Sequence, residues 1–452
     1  MTLTNARGEG SRIPSDLPLV ERRTRIPAGF IAGGRAAGIK ASGRPDLALI
    51  ASAGGPLAAA AVFTPNTFAA APVRRSQSVL AASHGWVRAV VSTSGSANAA
   101  TGRAGDEDQI RVGEIVAAAL GIEELAVLHL STGIIGTRLP LDKVEAGVGV
   151  LAPALVATDE SLEAAATALR TTDTRTKSAT VTVALPQGAG GTSDVRVTGI
   201  AKGVGMIHPN MATMLSVILT DASASPELLA SILRPAAART WNQLSVDGDT
   251  STNDTVFLLA SGASDADPVL GGTPAADALA GAVEAVARDL ARQQAADGEG
   301  ATCLLTCEVT GATDDADARA AARAVISSSL VKAAAHGRDP NWGRIAGAAG
   351  NARLASVAVL EASGLDIETA RTRAGSAAAL DPERLRITIA GHVVFDGTVG
   401  GPQPFDRPAA REAMKGDEIT IGLDLGLGSG FGEAFGCDLT ETYVRENSEY
   451  TT

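Results

Sequence analysis

The chain has 452 residues, 45% of them hydrophobic and 19% charged, which provides enough apolar surface for two hydrophobic cores. Its formal net charge of −12 argues against nonspecific nucleic-acid binding, because that function needs a basic surface to neutralise phosphates. Three cysteines do not make a disulfide framework, and no apolar run is long enough for a membrane span, so we expect a cytoplasmic protein.

The predicted elements mix strands and helices along the whole chain. Residues 1–26 are polar and predict a disordered extension, and residues 29–40 predict turns. Apolar runs predict strands at 46–50, 59–63, 87–92, 125–130, 179–185, 194–201, 255–260 and 303–310, and another starting at Thr213; helical spacing predicts helices at 106–120, 141–150, 160–169, 226–238, 276–295 and 315–334; residues 355–450 predict mainly strands and turns. This order predicts an α/β fold with mixed sheets in two layers covered by helices.

Residues 202–215 (KGVGMIHPNMATML) are the most informative segment. They place Ala212 directly before Thr213, at the point where a glycine-rich loop leads into a buried strand. This layout suits a precursor that cuts itself: the Thr213 hydroxyl attacks the Ala212 carbonyl, and water then releases the acyl group. The new α-amine, with an ordinary pKa of about 7.7–8.0, can then act as the base for its own hydroxyl. By itself an Ala-Thr pair is common, and a threonine that leads a strand is usually structural.

Other polar positions admit both a catalytic and a structural interpretation. Residues 131–136 (STGIIG) follow a strand, where a hydroxyl and glycine-flanked amides suit an oxyanion hole or form an ordinary turn. Lys202 is either a solvated side chain or a ligand for a substrate carboxylate. Residues 171–174 (TTDT) can simply end a helix, residues 297–302 (DGEGAT) can be a plain acidic turn, and the polar segment 443–452 can be frayed.

Residues 246–255 (VDGDTSTNDT) superficially resemble a calcium loop. They lack the glycine and the terminal glutamate of EF-hand spacing, so we predict no metal site there and interpret the segment as structural or supporting. We interpret residues 336–344 (HGRDPNWGR) in the same way.

Together, these strings closely resemble the ornithine acetyltransferase family, the glutamate N-acetyltransferases of arginine biosynthesis, over about residues 27–452. The resemblance implies an N-terminal-nucleophile-like fold of the DmpA/ornithine acetyltransferase type that cleaves itself between Ala212 and Thr213. An α chain, residues 27–212 after the extension, would then carry the oxyanion hole. A β chain, residues 213–452, would begin with the nucleophile and end in a substrate-binding tail.

The resemblance also implies the role of individual residues. Thr213 would be the nucleophile, with Thr132 and Gly133 as the oxyanion hole. The substrate-binding residues would be Thr172, Lys202, Thr213, Glu299, Asn447 and Thr452. The chain departs from the family at Cys303, where a lysine is usual, and at residues 92–98, where the family more often has an Asn-Ser-Gly opening, so a member of a specialised pathway is also compatible.

We therefore expect an enzyme that moves acetyl from N2-acetyl-L-ornithine to L-glutamate through an acetyl-threonine. The resemblance implies no cofactor and an α2β2 heterotetramer, and it leaves open whether acetyl-CoA also serves as donor. One alternative is an amidase or aminopeptidase on the same fold, with water as acceptor. Another is a small-molecule binding protein that stays a single chain.

Overall fold

The computed structural model describes residues 17–208 and 214–448. They divide into an N-terminal unit of residues 18–301, 362–364 and 441–448, and a C-terminal unit of residues 302–361 and 365–440. None of the helices in these ranges is both long enough and apolar enough to cross a membrane.

The N-terminal unit contains two mixed sheets. Its strands are β1 (Phe30–Arg35), β2 (Leu47–Ser52), β3 (Leu57–Phe63), β4 (Trp86–Val87), β5 (Ala89–Ser96), β6 (Val127–Ile134), β7 (Lys177–Pro186), β8 (Thr192–Lys202), β9 (Leu215–Thr220), β10 (Leu244–Ser245) and β11 (Thr255–Ala260). One sheet has the order β1-β2-β5-β6 and the other the order β4-β3-β11-β9-β8-β7. Each contains one parallel pair, β5 with β6 and β9 with β11.

In the described part of this unit, six helices pack on these two sheets. They are α1 (Ala71–Ala82), α2 (Gly102–Leu120), α3 (Leu141–Leu151), α4 (Asp159–Leu169), α5 (Pro226–Arg239) and α6 (Pro274–Ala296). α2 and α3 pack on the four-stranded sheet, and α5 and α6 pack on the six-stranded sheet. Small and branched side chains of both sheets fill the layer between them, together with Phe30, Phe257 and the buried face of α4. The predicted α/β class, with two sheet layers covered by helices, is thus confirmed.

The C-terminal unit is built on one sheet with the order β17-β12-β16-β13-β14-β15. Its strands are β12 (Leu304–Ala312), β13 (Arg386–Ile389), β14 (His392–Asp396), β15 (Gly401–Pro402), β16 (Glu418–Asp424) and β17 (Gly430–Cys437). Its helices are α7 (Asp315–Ser327), α8 (Ser329–His336), α9 (Trp342–Gly350), α10 (Val357–Ala362), α11 (Ile367–Arg373) and α12 (Arg407–Ala413). The chain then returns to the N-terminal unit with α13 (Glu441–Ser448).

Several sequence predictions are corrected by the structure. The helix predicted at 315–334 breaks at Ser328, whose backbone is extended and whose hydroxyl accepts a hydrogen bond from Val331 N–H to cap α8. The turn-rich segment 29–40 contains β1, and the described part of residues 355–450 contains α10, α11, α12 and α13 besides strands. Helices α1 and α9 were not predicted.

Residues 21–26, which the sequence assigned to the polar extension 1–26, contact the N-terminal unit. Glu21 pairs with Thr180 of β7, and Thr24 and Ile26 are buried. These contacts place residues 21–26 on the N-terminal unit, whereas residues 1–16 lie outside the described residues.

Candidate active site

Thr132 and Gly133 lie at the carboxyl end of β6, beside the carboxyl end of β5. Gly133 faces Gly95 in the parallel register and has a φ of +133°. A Cβ atom on Gly133 would lie 2.3 Å from the Gly95 carbonyl carbon, so only glycine allows this close approach of the two backbones.

Asn253, just before β11, links the ends of these two strands to the six-stranded sheet. Its amide Nδ2 donates to the Ser131 carbonyl at 2.8 Å and to the Ala97 carbonyl at 2.7 Å. Because both acceptors are backbone oxygens, this buried side chain fixes the peptide that leads into Thr132. Sequence reasoning gave residues 246–255 only a general structural role and did not single out Asn253.

Lys202 ends β8, and its Nζ lies 3.1 Å from the Thr132 hydroxyl. Burial lowers the pKa of Lys202, and the charge of Asp173 opposes that shift. The Lys202 carbonyl accepts a hydrogen bond from Gln294 Nε2 at 2.8 Å, and Gln294 Oε1 in turn accepts from Trp241 Nε1 at 2.9 Å. Side chain and backbone of Lys202 are thus both held.

Glu299 brings three of the predicted residues together. Its Oε1 accepts from the Thr172 hydroxyl and its Oε2 from Asn447 Nδ2 of α13, both at 2.9 Å. The Glu299 N–H donates to the Val204 carbonyl at 2.8 Å, and a Cβ on Gly205 would lie 2.3 Å from Glu299 Oε2. The segment after Lys202 therefore packs directly against this carboxylate.

The loop 171–174 offers three threonines, and the contacts separate them. Thr172 reaches Glu299, whereas the Thr174 hydroxyl bonds to Asp297. Thr171 uses its N–H to bond Asp173. Among the three, Thr172 is thus the one that the structure brings to Glu299.

A buried ion cluster was missed by sequence reasoning. Lys177 Nζ lies 2.6 Å from both Asp173 Oδ1 and Asp297 Oδ2. Burial by itself raises the pKa of Asp173, but the charges of Lys177 and Lys202 and the hydrogen bonds from Lys177 and Gly203 outweigh it and bring the pKa to about 2.

Residues 206–208, which lead toward Ala212, are held by the segment 247–250. The Asp247 carboxylate accepts from the N–H groups of Met206 and Ile207 at 2.5 and 2.9 Å. The Thr250 hydroxyl donates to the His208 carbonyl at 2.8 Å. This part of the string 246–255 therefore supports the described end of the loop.

Tyr443 of α13 joins the same network through a hydrogen bond with Asp247. Burial raises the pKa of Tyr443, and the charges of Asp247 and Glu299 raise it further. The phenol is therefore neutral near pH 7 and donates its hydrogen bond to the Asp247 carboxylate.

Three predicted residues, Ala212, Thr213 and Thr452, lie outside the described residues. Directly after these residues of the loop, the Met214 carbonyl accepts from Thr255 N–H at 2.8 Å, and Leu215 pairs with Lys202. Within residues 17–208 and 214–448, no group of three or more His, Cys, Asp or Glu side chains could hold a metal ion.

Cys303 lies at the start of the C-terminal unit, with residues of the string 336–344. Its Sγ accepts a hydrogen bond from Arg338 Nη1 at 2.9 Å, and its N–H donates to Asp438, which also bonds His336 Nδ1 at 3.0 Å. Burial raises the pKa of the Cys303 thiol, and the Asp438 charge adds to this. The thiol is therefore protonated at neutral pH, which fits a structural role.

Comparison with known proteins gives consistent matches over most of the chain. The ArgJ family model matches residues 31–452. The chain is 45% identical to the arginine biosynthesis bifunctional protein ArgJ of Thermus thermophilus over 428 residues, which cover 95% of this chain and 99% of that protein. It is 44% identical to the protein of the same name from Deinococcus radiodurans, over 94% of this chain and 98% of the relative.

Among solved structures, an ornithine acetyltransferase from Mycobacterium tuberculosis, complexed with ornithine, is 42% identical. That match covers 42% of this chain and 97% of the solved chain, with a TM-score of 0.38. Because the family model and the full-length relatives cover nearly the whole sequence, the chain belongs to the ArgJ family.

Proposed function

We propose that this chain is an acetyltransferase of arginine biosynthesis that moves acetyl from N2-acetyl-L-ornithine to L-glutamate through an acetyl-threonine on Thr213. The observation that carries the proposal is the segment 202–205. At one end Lys202 contacts Thr132 of the candidate oxyanion hole, and at the other Gly205 packs against Glu299. Groups suited to a reacting carbonyl and to a cationic side chain thus belong to one continuous site.

The first step in this proposal is self-cleavage. The Thr213 hydroxyl attacks the Ala212 carbonyl, the acyl group moves from nitrogen to oxygen, and water hydrolyses the ester. The products are an α chain that ends at Ala212 and a β chain whose free α-amine can accept the proton of its own hydroxyl.

Acetyl transfer then follows a two-step course. The Thr213 oxygen attacks the acetyl carbonyl of N2-acetylornithine, and Thr132 and Gly133 donate hydrogen bonds to the developing oxyanion. The amide bond breaks, ornithine leaves with the proton, and Thr213 carries the acetyl ester. The amine of glutamate attacks this ester, which gives N-acetylglutamate and the free threonine.

Substrate selection in this scheme rests on the charged groups of the site. Glu299 pairs with the side-chain ammonium of ornithine, and Lys202 pairs with a substrate carboxylate. Thr172 and Asn447 donate to the Glu299 carboxylate, and in this scheme each contacts substrate by exchanging that hydrogen bond for one to a substrate carboxylate. Thr452 is proposed as a further contact from the C-terminal tail.

Further properties belong to the same proposal. The enzyme needs no cofactor, and acetyl-CoA is a second donor, in keeping with the word bifunctional in the names of its relatives. A cytoplasmic location is supported by three buried cysteines that are thiols and not disulfides. The α chain, with its polar extension, and the β chain assemble as α2β2.

Intact mass spectrometry tests the proposal. The mass is measured under denaturing conditions, first on the purified protein and then on a sample that was incubated in the native state with N2-acetylornithine. We expect two chains split between Ala212 and Thr213, and one acetyl group on the β chain when glutamate is absent. Thr213→Ala should remain uncut and inactive, whereas Thr213→Ser keeps a hydroxyl and should still be processed.

The alternatives give different results in the same experiment. Turnover by Thr213→Ala would refute the mechanism. Release of acetate or another product without an amine acceptor would indicate a hydrolase. A wild-type protein that stays a single chain and binds amino acids without turnover would indicate a binding protein.

A further inference from the structure

The buried cluster of Asp173, Lys177 and Asp297 has a specific place in the N-terminal unit. Its side chains are 0%, 0% and 5% exposed, so the Lys177 ammonium and both carboxylates are removed from water. Burying charges is costly unless each is paired and its remaining hydrogen-bonding positions are filled. The partners that fill those positions therefore indicate what the cluster does.

The partners of both carboxylates include backbone groups of neighbouring loops. Asp173 accepts from Gly203 N–H at 2.8 Å and from Thr171 N–H at 3.1 Å. Asp297 accepts from Thr174 N–H at 3.1 Å and from the Thr174 hydroxyl. Each of these backbone groups belongs to a residue within two positions of a residue that is proposed to bind substrate.

We infer that Lys177, Asp173 and Asp297 are positioning residues, which fix the three loops carrying Thr172, Lys202 and Glu299 relative to one another. Thr172 lies between two anchored amides, those of residues 171 and 174. Lys202 directly precedes the anchored amide of residue 203, and Glu299 follows Asp297 by two residues. One ammonium group therefore joins three loops that are distant in sequence.

This inference rests on the proposed function, since it assigns the cluster to substrate recognition. A structural cluster would affect stability and all kinetic constants together. A positioning cluster should affect mainly the KM for N2-acetylornithine, because Thr172 and Glu299 bind the substrate rather than the transition state. The oxyanion strands have their own anchor in Asn253.

The two carboxylates differ in one respect that provides a matched pair of variants. Asp173 supplies the strongest charge acting on Lys202, whereas the strongest contacts of Asp297 are with Lys177 and Thr174. Lys177, Glu299, Asp254 and Lys40 also act on the Lys202 charge. Removing the Asp173 charge lowers the pKa of Lys202, so the loss of kcat/KM at high pH should begin at a lower pH in Asp173→Asn than in Asp297→Asn.

Lys177→Met is the direct test, but it leaves two buried carboxylates without their cation. The double variant Lys177→Met/Asp297→Asn removes one positive and one negative charge, so the charge balance of the site is kept. We expect this double variant to fold and to be processed. Its KM for N2-acetylornithine should rise about tenfold or more, with kcat within about threefold of the wild type.

Hydrogen exchange provides a readout that does not depend on turnover. In the double variant, peptides that contain residues 171–174 and 203 should lose protection, while the β5 and β6 peptides keep theirs. A folded, active double variant with wild-type KM and wild-type exchange would overturn the inference. A double variant that does not fold would also overturn it, because the cluster would then serve the fold.

The two hypotheses fail in different ways. A wild-type enzyme without acetyl transfer refutes the proposed function, whatever the exchange pattern shows. An active wild type whose Asp173→Asn and Asp297→Asn variants have the same pH profile and unchanged KM refutes only the positioning role.

Discussion

Replacing Gly205 with alanine should displace Glu299 without straining the backbone. Gly205 does not have a positive φ, so alanine can adopt its conformation. The new Cβ would lie 2.3 Å from Glu299 Oε2 and 2.6 Å from its Cδ, whereas ordinary contacts begin near 3.4 Å. Because the obstructing atoms end a flexible side chain, the carboxylate can retreat by about 1 Å.

A displacement of that size has a measurable cost. It disturbs the 2.9 Å contacts from Thr172 and Asn447 and moves the charge that should pair with the ornithine ammonium. A misplacement of about 1 Å can cost about 100-fold in rate, and a hydrogen bond to a charged group contributes about 1.5–3 kcal/mol. We expect kcat/KM for N2-acetylornithine to fall about 10- to 100-fold, mostly through KM, in initial-rate assays of ornithine release at saturating glutamate.

Gly281→Ala is the matched control, since it makes the same change inside α6 where nothing lies within 4 Å of the added Cβ. It should leave KM unchanged and raise the Tm, because alanine stabilises a helix interior by about 0.5–1 kcal/mol over glycine. A Gly205→Ala enzyme with wild-type KM would show that Glu299 does not bind the donor substrate, and equal losses in both variants would show that the effect is nonspecific.

Two further predictions follow from the site. Gly133→Ala places a Cβ against the backbone of Gly95, which cannot yield as a side chain would, so kcat should fall about 10²- to 10³-fold in single-turnover assays; near-normal kcat would remove this glycine from the oxyanion hole. Burial opposes the charges of Lys177 and Lys202 at Asp173, and the charges prevail, which leaves its pKa at about 2, below the ordinary value of 3.8. A lowered carboxyl pKa stabilises the fold above about pH 4, by about 2 kcal/mol, and this contribution disappears as the pH falls toward 2. The Tm difference between wild type and Asp173→Asn should therefore shrink over that range, and a constant difference would contradict the reasoning.

The strands that the sequence predicted best are those buried on both faces. β9 and β11 are buried along their whole length, so they form continuous apolar runs that stand out without any knowledge of their neighbours. The starts of helices α5 and α6 are also visible in the sequence, because a Ser or Thr cap precedes a proline at the first turn. β1 was missed because three of its six residues are glycine or alanine, which favour turns as readily as strands.

The break at Ser328 illustrates what local patterns do not contain. Residues 315–334 have helical spacing throughout. The extended backbone of Ser328 ends one helix and its hydroxyl caps the next, and neither feature alters that spacing. The ion cluster around Lys177 is likewise not predicted by local sequence patterns. A lysine at the start of a strand predicts a solvated side chain, and one of its partners, Asp297, lies 120 residues away.

The site residues were predicted mainly through family resemblance. Thr172, Glu299 and Asn447 occur in loops or polar ends where the local pattern favours a plain turn or a frayed end. Their convergence depends on α13 returning to the N-terminal unit after the whole C-terminal unit has been traversed. No periodicity in the sequence encodes such a return.

The hydrogen-bonded series from Trp241 through Gln294 to Lys202 also supplies an optical probe. The chain has three tryptophans; Trp241 is fully buried, Trp86 is exposed, and Trp342 belongs to the C-terminal unit. Indole emission responds to the electric field and to the mobility of its surroundings, and the Trp241 ring is linked by two hydrogen bonds to the backbone of the proposed carboxylate ligand. With Trp86 and Trp342 replaced by phenylalanine, the remaining fluorescence becomes a label-free signal in which occupancy at Lys202 can be followed during turnover.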